Sequence, residues 1–318
     1  MESNWKSRKV VVVGAGAVGS TFAYALAQKG LAEEIDILDA NHDIAQGQVL
    51  DLAHGLPYYP SVQIRVGQSQ DYADAQVIVI TAGAKQAPGE SRLALVKKNA
   101  DIIESIVDDI VSQGSQAVIL VTSNPVDILT YVALKRSGWT KGRVIGSGTV
   151  LDSARFRYLL SQHCDVDVGN VHAYFLGEHG DSEFPAWSMT HIAGLAIDDY
   201  CPFCNKCNTW QLDREKITQT VKESAYHIIN YKGATYFAIG MALVRIVGTI
   251  LQDQRSVLPV STLLDGEYGL RDVCLGVPCV VGQGGVKQII DAPLLPEEKK
   301  AIAGSASIIQ KVLKQLAS

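Results

Sequence analysis

A glycine-rich turn near the N-terminus constrains this chain more than any other feature. The apolar run Val10–Val13 leads directly into Gly14-Ala15-Gly16-Ala17-Val18-Gly19, and a second run, Ile35–Leu38, is followed by Asp39. A strand, a G-x-G-x-x-G turn, a helix and a strand that ends in an acid form the layout of a dinucleotide-binding unit. The alternative is a strand–turn–helix unit that needs small residues only for packing.

The three glycines of this turn have separate expected roles. Gly14 permits the tight turn, Gly16 lets the backbone approach a pyrophosphate, and Gly19 lets the helix lie close to the strand. The pyrophosphate then lies at the helix N-terminus, where free N–H groups and the helix dipole favour an anion. Asp39 would accept hydrogen bonds from ribose hydroxyls. The two residues after it offer no cation for a 2′-phosphate, so we expect NAD rather than NADP.

Four apolar runs separated by amphipathic stretches predict a parallel sheet in the first half of the chain. The runs are Val10–Val13, Ile35–Leu38, Val77–Ile80 and Val118–Val121. Continuous β-branched runs are typical of parallel strands buried on both faces. Apolar residues recur at helical spacing between residues 93 and 111. This alternation predicts an α/β fold with a Rossmann-type, doubly wound parallel sheet.

The second half has a mixed pattern. Residues 212–232 and 233–252 read as helices, 257–290 as short antiparallel strands, and 297–316 as a final amphipathic helix. These elements predict a second, α+β domain that packs tightly on the first.

The chain is long for one domain at 318 residues, so we expect two. The predicted domains are residues 1–147, which would bind NAD, and residues 148–318, which would carry substrate and catalysis. A crevice is expected at the carboxyl ends of the parallel strands, where ligands bind in open α/β sheets.

Charge and hydropathy exclude several classes of partner. The formal net charge is −5 and no long Lys/Arg run occurs, so nucleic acid and anionic membranes are not expected partners. No apolar stretch approaches the ~20 residues of a transmembrane helix. Residues 1–9 are polar and lack the core of a signal peptide, so we expect a cytoplasmic protein.

The chain has six cysteines, which in a cytosolic protein are expected to be thiols. They are Cys164, Cys201, Cys204, Cys207, Cys274 and Cys279. The spacing from Cys201 to Cys207 is compatible with zinc or an iron–sulfur cluster. Such a site needs a fourth ligand, and no second C-x-x-C occurs in the sequence. A surface loop is therefore the preferred interpretation, and no metal is expected.

Polar residues follow the third and fourth apolar runs. The segment 81–92 is a long loop with a Pro-Gly turn that ends at Arg92, and loops at this edge often close over ligands. The alternative is a solvated loop in which Arg92 pairs with Glu90. Asn124 could orient a carbonyl group and a nicotinamide ribose, or Asn124-Pro125 could simply end a strand.

A third group of polar residues lies further along the chain. Asp152 and Arg155 are three apart and share a helix face, from which Arg157 points away. His179 stands in the glycine-flanked segment Gly177-Glu178-His179-Gly180. Since histidine titrates near neutral pH and glycines admit a substrate, His179 is a candidate for proton transfer. The alternative is a structural histidine.

The chain resembles the L-lactate dehydrogenase branch of the lactate/malate dehydrogenase superfamily, from residue 9 to about residue 316. The motifs that carry the resemblance are VGAGAVGS, TAGAKQAPGESRLALVKKN, TSNPVDILTY, GSGTVLDSARFR, NVHAYFLGEHGDSEFP and KGATYFAIG. The resemblance implies a homotetramer that uses NAD(H) and interconverts pyruvate and (S)-lactate. Two segments depart from the family pattern, residues 201–207 and 282–285, and both lie outside the active-site motifs.

The resemblance also implies site residues. His179 would exchange a proton with the substrate oxygen, Asp152 would hold its other ring nitrogen, Arg155 would bind the substrate carboxylate, and Arg92 would polarise the carbonyl. The other implied substrate contacts are Gln86, Asn124 and Thr235. The implied cofactor contacts are Gly14, Gly16, Val18, Gly19, Asp39, Gly83, Ala84, Ser105, Thr122, Ser123, Asn124 and Ser147.

Substrate choice depends on Gln86. The malate branch typically carries an arginine at this position for a second carboxylate, whereas a neutral Gln86 suits the methyl group of pyruvate. The neighbouring cation Lys85 keeps malate dehydrogenase as the alternative. A non-catalytic NAD-binding protein is a further alternative, although it would need neither the acid–base pair nor the two substrate arginines.

Arg157 and His172 match the positions at which bacterial members of the branch bind fructose 1,6-bisphosphate at a two-fold subunit interface. Like charges would repel across that interface until a bisphosphate neutralises them. The resemblance therefore implies an allosteric enzyme of the last step of lactate fermentation. The alternative is that Arg157 pairs with a local acid and that His172 is a buried strand residue.

Overall fold

The computed structural model describes residues 7–85, 89–204 and 209–316 of the chain. The described strands are β1 Lys9–Val13, β2 Glu34–Leu38, β3 Gln63–Val66, β4 Val77–Ile80, β5 Val118–Val121, β6 Val144–Gly146, β7 Val171–His172, β8 Phe175–Leu176, β9 Phe184–Pro185, β10 His191–Ile192, β11 Leu195–Ala196, β12 Ser256–Asp265, β13 Arg271–Gly282 and β14 Gly285–Ile289. The described α-helices are α1 Ala17–Lys29, α2 His42–His54, α3 Arg92–Ser112, α4 Val126–Ser137, α5 Val150–Cys164, α6 Ile197–Tyr200, α7 Trp210–Lys232, α8 Phe237–Leu251 and α9 Pro296–Leu316.

Six strands form a parallel sheet in the order β3-β2-β1-β4-β5-β6. The order reverses between β1 and β4, which opens a crevice at the carboxyl ends of these two strands. All residues of β1, β4 and β5 are buried, as their continuous apolar runs predicted. The predicted Rossmann-type α/β fold is confirmed.

The β-strands of the second half extend this same sheet. β12 lies antiparallel to β6, with Ser261 opposite Gly146, and β13 and β14 follow outward. β12 has 10 residues and β13 has 12, so the prediction of short strands here is wrong. Pro259 lies opposite Pro278. Two prolines that face each other cannot exchange ladder hydrogen bonds, so this pair occupies a non-hydrogen-bonded site and does not interrupt the strands.

The two halves share one apolar core. Buried side chains of β1 and α1, such as Val10 and Phe22, belong to the same cluster as Leu243 of α8 and Leu275 of β13. The tight packing expected between the halves is therefore present, and it fixes the walls of the crevice. Within the described ranges, we find no helix with both the length and the apolar character needed to cross a membrane.

Candidate functional site

The glycine turn lies between β1 and α1, with tight packing at its first and third glycines. Gly14 has φ +109°, and a Cβ there would lie 2.7 Å from the backbone nitrogen of Ala82. A Cβ on Gly19 would lie 1.9 Å from the carbonyl oxygen of Gly14. Gly16 is the N-cap of α1, and a Cβ there would meet nothing within 4 Å. The turn thus leaves open space in front of the N-terminus of α1, as a bound pyrophosphate requires.

Asp39 is held against this turn. One carboxylate oxygen accepts from the backbone N–H of Ala15 at 2.8 Å, and the other accepts from the N–H of Asn41 at 2.9 Å. A carboxylate has about four lone-pair sites, so acceptor capacity remains for a ligand. Its predicted contact with a ribose stays a prediction.

Asn99, which sequence reasoning missed, joins the loops that follow β4 and β5. Its buried side chain accepts from the N–H of Ala84 at 2.8 Å and donates to the carbonyl of Asn124 at 3.0 Å. Ser123 adds a hydrogen bond to the carbonyl of Ala82. Asn99 lies three residues after the buried Val96 of α3. A polar residue on the apolar face of a helix was the signal that could have identified it.

The other predicted cofactor residues follow β4, β5 and β6 or lie on α1 and α3. The Oγ1 of Thr122 is buried and has no hydrogen-bond partner among the described residues. Ser147 is buried just after β6, and Gly83 is exposed beyond β4. Ser105 is exposed on α3, and Val18 is half-buried on α1.

Two predicted catalytic residues and one predicted substrate-binding residue meet at the start of α5. The Nδ1 of His179 lies 2.7 Å from one oxygen of Asp152, and the guanidinium of Arg155 donates to the other oxygen at 2.8 Å. The backbone N–H of His179 donates to Asp127 at 2.7 Å. Asp152 is buried, whereas the side chain of His179 is 26% exposed. Its Nε2 is therefore the ring nitrogen that can exchange a proton with a ligand.

The charges around His179 favour its protonated form. Burial lowers the pKa of His179, but the charge of Asp152 and the hydrogen bond with it outweigh that effect and raise the pKa to about 9. Burial opposes ionisation of Asp152 as well, yet His179 and Arg155 lower the pKa of that carboxyl. The pair is an imidazolium and a carboxylate at neutral pH, and it can donate a proton to a developing oxyanion.

Asp127, near the start of α4, is a second buried acid that sequence reasoning missed. It accepts hydrogen bonds from Ser261 and from the backbone of His179. Complete burial nevertheless raises the pKa of Asp127 to about 6. It anchors the segment that carries His179.

Glu183 is the second missed acid, and it lies beside the catalytic pair. Its buried Oε2 is 4.0 Å from the Nδ1 of His179 and has no hydrogen-bond partner among the described residues. Burial, followed by the charge of Asp152, raises its pKa. An acid four residues after His179 and directly before the apolar strand β9 was the available signal. We call Asp152, Arg155, His179 and Glu183 the acid–base cluster.

A metal ion is a conceivable occupant of this cluster. One ligand atom each from Asp152, His179 and Glu183 lies within 4.8 Å of the others. However, the Nδ1 of His179 already shares a hydrogen bond with Asp152. The absence of a metal stays a prediction.

Among the described residues, the hydrogen bonds and ion pairs of the acid–base cluster do not include Arg92 or Thr235. Arg92 is the exposed first residue of α3, near Tyr226 of α7. Thr235 is half-buried between α7 and α8. Gln86 lies outside the described residues.

Arg157 and His172 line a groove between α5, α8 and β12. The groove has a volume of about 560 Å³ and is also lined by Arg245. Arg157 donates to the carbonyl of Val168 at 3.2 Å, and His172 is exposed at the end of β7. The alternative of a buried histidine is wrong, and the described partner of Arg157 is a carbonyl rather than an acid.

The cysteines whose side chains the structure describes are all buried: Cys164, Cys201, Cys274 and Cys279. Cys201 is 4% exposed, so this end of the cysteine segment is not the surface loop that was expected. The side chain of Cys204 and the whole of Cys207 lie outside the described part of the chain.

Comparison with protein-family models gives two matches that together span nearly the whole chain. The NAD binding domain of lactate/malate dehydrogenase matches residues 8–146. The alpha/beta C-terminal domain of lactate/malate dehydrogenase matches residues 149–318.

Individual relatives agree with these models. The L-lactate dehydrogenase of Treponema denticola is 57% identical over 311 residues, which cover 98% of this chain and 99% of the relative. That of Acetivibrio thermocellus is 49% identical over 316 residues, which cover 99% of each chain.

Solved structures show the same fold. The minor L-lactate dehydrogenase of Enterococcus mundtii in its ligands-bound form has a TM-score of 0.94 at 43% identity, with 98% of this chain and 99% of that chain covered. MGS-M5, a lactate dehydrogenase from a Medee basin deep-sea metagenome library, has a TM-score of 0.96 at 44% identity, with coverages of 99% and 100%. The chain is an oxidoreductase with NAD as its cofactor, and it belongs to the lactate/malate dehydrogenase family.

Proposed function

We propose that this chain catalyses reversible hydride transfer between NADH and pyruvate, with (S)-lactate as the product. The observation that carries the proposal is the contact of His179 with Asp152 at 2.7 Å, with Arg155 on the same carboxylate. A proton donor and a carboxylate-binding cation thus lie side by side, as reduction of a 2-oxo acid requires. The relatives named L-lactate dehydrogenase support this choice of substrate.

The residues have distinct roles in the proposed reaction. Bound NADH supplies the hydride, and negative charge develops on the carbonyl oxygen. His179 gives its Nε2 proton to that oxygen, while Asp152 fixes the ring orientation and stabilises the imidazolium. Arg155 has five N–H donors, so it can bind the substrate carboxylate while it keeps its bond to Asp152. In lactate oxidation, neutral His179 accepts the proton.

The segment 81–92 completes the site in this proposal. Arg92 approaches as the loop closes and polarises the carbonyl, where its charge stabilises the transition state more than the ground state. Gln86 faces the methyl group of pyruvate, and Asn124 and Thr235 contact the substrate. A second carboxylate beside Gln86 would be buried without a countercharge, which is costly.

The cofactor contacts are proposed to be those expected from the sequence. They are Gly14, Gly16, Val18, Gly19, Asp39, Gly83, Ala84, Ser105, Thr122, Ser123, Asn124 and Ser147. We place the boundary between the NAD-binding and catalytic domains between residues 147 and 148.

Regulation and assembly form a further part of the proposal. Fructose 1,6-bisphosphate would bind the groove lined by Arg157 and His172 and activate a cytoplasmic homotetramer at the last step of lactate fermentation. The position of both cations on one groove supports the effector site. Exposed apolar side chains on α2 and α8, such as Ile44, Leu50 and Phe237, support assembly.

Steady-state kinetics with pyruvate and oxaloacetate, with and without fructose 1,6-bisphosphate, test the proposed function. The parent should prefer pyruvate. Gln86→Arg should shift the preference toward oxaloacetate by about 10–100-fold, because it supplies the missing countercharge. A parent that prefers oxaloacetate would be a malate dehydrogenase. Failure to oxidise NADH with either substrate would indicate a non-catalytic NAD-binding protein.

A further inference from the structure

We propose that Glu183 is a positioning residue that remains protonated at neutral pH and donates its O–H to Asp152. One polar atom each of Glu183, Asp152 and His179 lies within 4.8 Å of the other two. The side chain of Glu183 is 4% exposed. A carboxylate at this depth without a partner would be costly, whereas a neutral carboxyl carries a donor for the acid beside it.

The balance of charge gives the physical reason. The groups that face Glu183 are Asp152 and Arg155 on α5 and His179 on its own segment, and Asp127 lies behind His179. Arg155 and protonated His179 carry two positive charges. On the proposed function, Asp152 and the substrate carboxylate engage these two cations, and Arg92 faces the carbonyl oxygen. An ionised Glu183 would add a second negative charge directly beside Asp152, with a buried oxygen that has no hydrogen-bond partner among the described residues, so the proton stays on Glu183.

The proton on Glu183 serves to orient Asp152. That carboxylate already accepts from Arg155 on one oxygen and from His179 on the other. A third hydrogen bond, from Glu183, would hold the carboxylate in place when Arg155 engages the substrate. It would also disperse the charge of Asp152 and so limit how tightly His179 holds its proton. The raised pKa of Glu183 agrees with this assignment.

Infrared difference spectroscopy of the full-length protein at pH 7.5 tests the protonation state directly. The difference spectrum, parent minus Glu183→Gln, should show the carbonyl stretching band of a protonated carboxylic acid. The frequency of this band should shift in deuterated water. Glu33→Gln is the control, since hydrogen bonds from Arg8 lower the pKa of that carboxyl; it should show loss of ionised carboxylate bands. Loss of ionised carboxylate bands in Glu183→Gln would overturn the proposal.

Kinetics of two variants test the positioning role. Glu183→Met removes the donor, so kcat for pyruvate reduction at pH 7.5 should fall about tenfold. The alkaline limit of the reaction should also move up by about one pH unit, because Asp152 then holds the His179 proton more tightly. Glu183→Gln retains a donor and should restore most of kcat and the parental limit. Equal impairment of both variants, or parental behaviour of both, would contradict the role.

The two proposals can fail separately. The infrared measurement needs no turnover, so it reports on Glu183 whatever the substrate is. Absence of pyruvate reduction by the parent would contradict the proposed function and leave the protonation state of Glu183 as measured.

Discussion

Two clusters of charge centre on buried side chains, one at the start of β1 and the other at the start of α5, and they are paired in different ways. At the start of β1, the ammonium of Lys9 lies 3.2, 2.9 and 2.7 Å from the carboxylates of Asp36, Asp71 and Asp74. Arg65 adds contacts to Asp36 and Asp71. We call these five residues the lysine cluster. In the acid–base cluster, by contrast, Glu183 has an oxygen without a partner among the described residues.

The difference separates stabilising charges from reactive ones. Burial opposes the charge of Lys9, but its three carboxylate partners outweigh burial and raise its pKa, so this charge does not change in the physiological range. In the acid–base cluster, the pKa values of His179 and Glu183 are raised toward the alkaline range. Strongly shifted pKa values within one group of residues are typical of catalytic sites. We expect mutations to affect stability in the lysine cluster and turnover in the acid–base cluster.

The largest expected effect is that of His179→Asn. Loss of the proton donor should lower kcat/KM for pyruvate by about 10²–10⁴-fold, which corresponds to about 3–5 kcal/mol of transition-state stabilisation. NADH affinity, measured by fluorescence titration, should stay within about twofold of the parent. Near-parental turnover of His179→Asn would contradict the assignment of turnover to the acid–base cluster.

The opposite outcome is expected for Lys9→Met. Loss of the ammonium leaves Asp36 buried with Arg65 alone, so the free energy of unfolding should fall by about 3 kcal/mol. Turnover per folded molecule should not change. Denaturant unfolding measures the loss, with Arg136→Gln as control: because its pair with Asp108 is exposed, this variant should lower the free energy of unfolding much less than Lys9→Met.

The stability difference between parent and Lys9→Met should also depend on pH. Burial raises the pKa of Asp71, but its bonds from Lys9 and the Gln68 backbone lower it overall. Its contribution is therefore present above the unfolded pKa and is lost as pH falls below about 4. Reduced turnover in Lys9→Met would contradict the assignment of a purely stabilising role to the lysine cluster. A stability difference between parent and Lys9→Met that persists below about pH 4 would also contradict it.

A smaller effect is expected at Asp39, a carboxylate held by backbone N–H groups alone. No described cation neutralises it, so it should repel the 2′-phosphate of NADPH. The parent should prefer NADH in kcat/KM by at least about tenfold, or 1.4 kcal/mol. Asp39→Ser should narrow that ratio. Equal efficiency of the parent with both cofactors would show that Asp39 does not face the ribose.

The smallest effect is expected in the Arg157 groove, which is remote from proton transfer. Fructose 1,6-bisphosphate at millimolar concentration should lower the apparent KM for pyruvate a few-fold in the parent. Arg157→Gln should abolish this effect. If fructose 1,6-bisphosphate changes the apparent KM equally in parent and variant, or does not change it in the parent, the Arg157 groove is not an effector site.

The parallel half of the fold was predictable because buried parallel strands carry continuous β-branched runs. β1, β2, β4 and β5 lie where those runs predicted them. β6 was missed because three residues carry too little pattern, and β12 and β13 were expected to be short because proline usually interrupts strands. Long strands become the expected structure here only once it is known that Pro259 and Pro278 lie opposite each other.

The site divides in the same way. The glycine turn was predictable because its constraints are local, and the shared face of Asp152 and Arg155 followed from helical spacing. The roles of Asn99, Asp127 and Glu183 were not predictable from the sequence, because each depends on elements that only the folded chain brings together. The sequence alone does not distinguish a buried acidic residue from an exposed one. Its surroundings decide whether it is an anchor, a partner or a proton donor.

The central claim is that the surroundings of His179 keep it protonated at neutral pH, ready to donate. An NMR titration of the ¹⁵N-histidine-labelled protein, with the His179 signal assigned by its absence in His179→Asn, measures this directly. The account predicts that His179 titrates with a pKa near 9 and is an imidazolium at pH 7.5. A pKa at or below the ordinary histidine value of about 6.5 would contradict it.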